Sequence, residues 1–112
     1  GIVVYATDLK QRLLGVPPDL LAARGAVDPD VAIAMAVGVK ERLDAVWGLA
    51  LTGVAGPDPQ DGKRAGTVFI ALAGPGMTAV AEHRLVGDRD AVRMASCREA
   101  LHALYVRLGG GE

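Results

Sequence analysis

An α/β domain, a mixed sheet with helices packed on it, is the fold class this sequence predicts. Three observations carry that reading. Taken in order, the elements run β-α-α-α-β-β-β-α. The link from the first strand to the second is long and helical, which suits a parallel crossover. Gly74-Pro75-Gly76 joins the last two strands as a short hairpin, so that pair is antiparallel. Strands and helices mixed in this way bury their apolar faces by layering helices on a sheet.

Residues 1 to 6 are β-branched and aromatic and read as the first strand. Thr7 can cap a short helix through Leu14, with Gly15 as its left-handed stop. Val16-Pro17-Pro18 breaks the chain, and Pro18 or Asp19 starts a second short helix that ends at Arg24-Gly25. Asp28-Pro29 starts a third helix, because an N-cap carboxylate precedes a proline at the first helical position. Val31, Met35, Val39, Leu43 and Val46 then form one apolar stripe at helical spacing. Residues 46 to 51 are a short buried strand, and residues 66–73 and 78–85 are two more. The last of these is polar enough to lie at an edge. Asp88 caps the final helix, which runs to Leu108. Its expected core stripe is Met94, Cys97, Leu101, Leu104 and Leu108. On that stripe Cys97 would be packed, whereas Ser96 lies off it. His83 and His102 read as structural or solvated side chains.

The 112 residues make one domain, with enough chain for a single core. Hydrophobic residues at 51% and charged residues at 22% exclude a disordered chain. No apolar run reaches the roughly 18 residues of a membrane span, so no membrane partner is expected. The net charge of −1 gives no overall electrostatic footprint for nucleic acid. A single cysteine cannot form an internal disulfide and fits a reducing compartment, the cytoplasm. Two distant histidines with that cysteine give no zinc spacing, and no metal or cofactor is expected. The chain opens at Gly1-Ile2-Val3-Val4-Tyr5, already inside what reads as a strand and without an initiator Met. The expectation is that residues precede Gly1.

Three stretches could carry chemistry. Thr52-Gly53-Val54-Ala55-Gly56-Pro57 stops an apolar run with a turn whose glycines permit close approach of another molecule to the backbone. It is either the rim of a small-molecule pocket or simply a tight turn. Tyr5 and Lys10 flank the junction of the first strand and first helix, where α/β folds place ligands. They could share a proton network, with Lys10 as a general base, or be a core-edge tyrosine and a solvated lysine. Arg89 and Arg93 lie one turn apart at the start of the last helix. They are either a phosphate or carboxylate site or an exposed pair.

Taken together, several segments resemble the CinA C-terminal domain family. They are Tyr5-Ala-Thr-Asp-Leu-Lys10, Leu13-Leu14-Gly15-Val16, Gly25-Ala26-Val27, Val31-Ala32 with Met35-Ala36, Thr52 to Pro57, Gly66-Thr67-Val68, and Gly87-Asp88-Arg89 with Val92-Arg93. The resemblance runs in order over nearly the whole chain. It implies a three-layer α/β/α domain. It also implies an amidase that converts nicotinamide mononucleotide to nicotinate mononucleotide and ammonia through a serine nucleophile assisted by a tyrosine and a lysine. Tyr5 and Lys10 take those two catalytic positions. Thr52, Gly53, Ala55, Gly56, Arg89 and Arg93 would line the nucleotide pocket, and Thr7 stands where the family often has an asparagine that bears on substrate contacts. The family's serine sits in a Glu-Ser-x-Thr-Gly-Gly stretch that these residues do not contain. An alternative is a non-catalytic module that binds a nucleotide or a protein in competence or the response to DNA damage. The resemblance also implies that the domain's first strand and helix are absent from these residues. The apolar surface so left bare would make the fragment unstable or be covered by association, and a homo-oligomer, a dimer, is expected.

Overall fold

A computed structural model describes residues 2–4, 6–60 and 62–109. It contains four helices, α1 (Thr7–Leu14), α2 (Pro18–Arg24), α3 (Pro29–Arg42) and α4 (Arg89–Arg107). It also contains three strands, β1 (Gly48–Gly53), β2 (Thr67–Gly74) and β3 (Met77–Arg84). No helix among the described residues is long and apolar enough to cross a membrane.

The sheet has the order β1-β2-β3 and is antiparallel at both joints. Leu51 lies opposite Ile70, and Ala71 opposite Val80. β2 is buried along its whole length because helices cover both of its faces. Phe69, Ala71 and Ala73 point into a core shared with Val31, Ala32, Met35 and Ala36 of α3. Val68 and Ile70 point the other way, toward Val92 and Ala100 of α4. This is the three-layer α/β/α arrangement, and it explains why β2 reads as a continuous apolar run without alternation.

The strand expected over residues 1 to 6 is not formed at residues 2–4, which pair with no neighbour. The sheet is therefore antiparallel rather than mixed among the described residues. Ile2 and Val4 still pack on the α3-side core, so burial holds this segment near the sheet without a ladder.

Asp28 caps α3 as the sequence indicates. Its carboxylate accepts from the backbone N–H of Asp30 at 2.9 Å and of Val31 at 3.4 Å. Arg24 lies 3.5 Å from the same carboxylate. Asp28→Ala should therefore lower stability by about 1–2 kcal/mol, read as a lower urea midpoint at unchanged slope.

The α3 stripe is cut short and the α4 stripe falls elsewhere than expected. α3 ends at Arg42, leaving Leu43 and Val46 exposed and outside the helix. Val31 and Met35 of the expected stripe are buried, together with Ala32 and Ala36, and Val39 packs half-buried against the same core. On α4 the buried residues are Val92, Ser96 and Ala100. Met94, Leu101 and Leu108 are 67%, 63% and 61% exposed, and Cys97 is exposed rather than packed. Only Leu104 of that expected stripe is half-buried. Small side chains let a helix approach a sheet closely, and that close approach decided which face was buried. Ser96 tolerates burial because its hydroxyl donates to the Val92 carbonyl at 2.7 Å.

Candidate functional site

Among the described residues, β1 has β2 on one side and no strand on the other. At that open edge lies a cavity of about 560 Å³. Leu49 and Leu51 reach it from the α4 side of the sheet and Ala50 from the α3 side, so the cavity wraps around the strand edge. Leu14, Met35 and Val39 add an apolar wall, and Ile2, Val3 and Val4 also line the cavity. Among the described residues, the charged lining consists of Lys10, Arg89 and Arg93, without an acidic side chain. An apolar pocket with a few cations fits an anionic molecule that carries a flat or apolar body.

Lys10 is placed by α1. That helix ends at Leu14 with Gly15 in the left-handed conformation, φ 71°. Its N-cap is Ala6 and no side chain caps it, so Thr7 is a helical residue and not the cap. A side-chain cap must precede the first turn with extended backbone, a position Ala6 occupies at φ −75°, ψ 139°. Lys10 is not on a solvent-reachable helix start but buried, at 7% exposure. Its Nζ donates to the Val4 carbonyl at 3.0 Å. Desolvation pushes its pKa below the ordinary lysine value, which favours the neutral amine that a base requires. Tyr5, its expected companion, lies outside the described residues.

Arg89 and Arg93 stand at the start of α4, whose first turn is capped by Asp88 accepting from Ala91 N–H at 2.9 Å. Arg89 Nη1 donates to the Gly56 carbonyl at 3.0 Å, so the glycine turn is joined to the helix start. Thr52 sits in β1, not in the turn, and is buried. Its hydroxyl donates to the Ala26 carbonyl at 2.6 Å. Gly53 is packed so closely that a Cβ there would lie 2.8 Å from the Thr67 carbonyl oxygen. Gly56 has φ 91°, which only glycine adopts without strain.

The structure thus brings Lys10, Arg89 and Arg93 to one cavity. Thr52, Gly53, Ala55 and Gly56 are not among its described lining residues, and Arg89, which is, bonds the Gly56 carbonyl. Thr7 is exposed and also lies outside the lining. The apolar wall of Leu14, Met35, Val39, Leu49 and Leu51 was not among the expected site residues. Nothing in their spacing separates a pocket wall from a core. No group of three or more His, Cys, Asp or Glu side chains that could hold a metal ion is found among the described residues.

Comparison with known proteins gives one consistent result. The family model for the CinA C-terminal domain matches residues 1–108. A CinA-like protein of Frankia casuarinae is 51% identical over 110 residues, covering 98% of this chain and 25% of the relative. A CinA-like protein of Geobacter sulfurreducens is 48% identical over 109 residues, covering 96% of this chain and 26% of its own. The chain therefore spans about a quarter of the length of these curated relatives. The crystal structure of a CinA superfamily protein from Enterobacter cloacae superposes with a TM-score of 0.92 at 33% identity. It covers 96% of this chain and 64% of that one. A competence/damage inducible protein from Agrobacterium tumefaciens superposes with a TM-score of 0.90 at 35% identity, over 95% of this chain and 66% of that one.

Proposed function

Because the chain belongs to the CinA C-terminal domain family, we propose that the whole protein hydrolyses the amide of nicotinamide mononucleotide, and that the cavity beside β1 holds the substrate. The observation that supports this most is Lys10, a desolvated amine in the same cavity as two guanidinium groups. The apolar wall would receive the pyridine ring, and a guanidinium the phosphate. The nucleophile would be a serine outside these 112 residues. Lys10 Nζ would take the proton of its hydroxyl as the oxygen–carbonyl carbon bond forms. That proton would pass to the amide nitrogen as the carbon–nitrogen bond breaks and ammonia leaves. Water would then hydrolyse the ester to nicotinate mononucleotide.

One observation favours a second reading, a binding module without catalysis. No serine, threonine or cysteine is among the residues that line the cavity. The two readings part in one experiment. Ammonia release from nicotinamide mononucleotide is measured for the full-length protein and for residues 1–112, alongside calorimetric binding to both. The expected result is binding by both and turnover by the full-length protein only. Binding by both without any turnover would leave the module reading standing. Turnover by residues 1–112 at the full-length rate would remove the outside serine and make Thr7 or Thr52 the next residue to change.

A further inference from the structure

Arg89 and Arg93 are one helical turn apart on the same side of α4, and both line the cavity. Spacing alone makes them equivalent, but their surroundings do not. Arg89 Nη1 is committed to the Gly56 carbonyl at 3.0 Å. Arg93 makes no hydrogen bond or ion pair with the described residues, and the residue is exposed. The segment that Arg89 holds is otherwise loosely tied. Its base is closed by Val54 and Gly66, where Gly66 N–H donates to the Val54 carbonyl at 2.7 Å. Its tip closes on itself, with Gln60 and Lys63 exchanging backbone hydrogen bonds at 3.0 and 2.8 Å. Among the described residues, the bond from Arg89 is the only hydrogen bond that links residues 55–63 to another element.

We infer that the two arginines divide the work, with Arg93 contacting the anionic group of the ligand and Arg89 acting as a positioning residue that clamps the glycine turn to the start of α4. A guanidinium fork aimed at a carbonyl has its orientation set by that bond, whereas a fork with all its donors free can turn to a phosphate. The clamp also fixes the turn relative to the cavity, since Arg89 lines the cavity and bonds the turn. This inference rests on the nucleotide reading above for the identity of the ligand, but the clamp itself does not depend on it.

The test uses residues 1–112 with Arg93→Ala, Arg89→Ala and Arg89→Lys. Calorimetry compares nicotinamide mononucleotide with its phosphate-free riboside, and hydrogen exchange follows the amides of Gln60, Lys63 and Gly66. Arg93→Ala should weaken the nucleotide about ten- to a hundredfold, leave the riboside within about twofold, and leave exchange unchanged. Arg89→Ala should weaken both ligands by a similar severalfold factor and speed exchange at the three amides. Arg89→Lys should recover much of both effects, because an ammonium still donates to the carbonyl. A nucleotide-selective loss in Arg89→Ala, or exchange that does not change, would overturn the division. If the unaltered chain bound neither ligand, the nucleotide reading would fail. The exchange of Arg89→Ala would then still decide whether the clamp exists.

Discussion

Replacing Gly38 by alanine is expected to unfold most of the protein at room temperature, or to cost about 3 kcal/mol or more. Gly38 lies in the third turn of α3, where an alanine would ordinarily favour the helix by about 1 kcal/mol. Here a Cβ would land on the carbonyl oxygen of Leu14, inside any contact distance, and 2.8 Å from its carbonyl carbon. The obstacle is backbone, so no side chain can turn aside. Leu14 is the last residue of α1, and its carbonyl sits against α3 because Gly38 leaves space for it. To admit the methyl group the two helices must part, and the core of Leu14, Val16, Val31 and Met35 opens with them. Gly15→Ala is the control. Its φ of 71° also favours glycine, but nothing lies within 4 Å of the added Cβ, so a loss of about 1 kcal/mol is expected. Chemical unfolding of both variants gives the comparison. A Gly38→Ala protein as stable as Gly15→Ala would show that the contact between α1 and α3 gives way easily.

If the full-length protein hydrolyses the amide as proposed, Lys10→Ala should lower its kcat about a hundred- to ten-thousandfold. Lys10→Arg should fail as well, since arginine stays protonated. Lys10→Met keeps the apolar stem and is the better test of chemistry apart from packing. In the unaltered protein kcat/KM should rise with pH through the Lys10 pKa, because the neutral amine is the active form, and the rise should begin below the ordinary lysine range. Stability has its own sign. With the folded pKa depressed, the unfolded chain binds more protons between that value and the ordinary one. Stability should therefore increase with pH across that window and be lowest beneath it. Lys10→Met should flatten this slope. Full turnover by Lys10→Met would remove the lysine from the mechanism.

The parts of the fold that could be read from the sequence are those set by local chemistry. Asp28-Pro29 starts α3, Asp88 caps α4, Gly15 stops α1 and Gly74-Pro75-Gly76 turns β2 into β3, each with its cause within a few residues. What was misread depends on distant surfaces. The large side chains of α4 looked like its core stripe, yet Val92, Ser96 and Ala100 face the sheet. No rule of periodicity prefers the smaller set until the distance from helix to sheet is known. Residues 1 to 6 carry strand propensity, but a strand needs a ladder, and residues 2–4 have none. At the site, Lys10, Arg89 and Arg93 were legible as charged residues at element ends. The burial of Lys10 and the commitment of Arg89 to Gly56 depend on side chains finding partners 6 and 33 residues away.

The sheet is a meander, and this bears on the order in which the protein assembles. β2 is joined to β3 by a turn that closes between Gly74 and Met77, and to β1 by one surface loop. Both ladders therefore link strands that are neighbours along the chain, and neither has to wait for a remote segment to diffuse into place. Closing so short a turn takes microseconds or less, whereas docking α3 onto β2 must bring together residues roughly thirty to forty apart. The rate-limiting step should then be the arrival of the N-terminal helices on a hairpin that has already zipped. Pulse labelling during refolding should find the amides of Ile70–Ala73 and Ala79–Ala81 protected before those of Met35–Gly38. Simultaneous protection would mean that the hairpin is held together by the helices and has no independent existence on the way to the folded state.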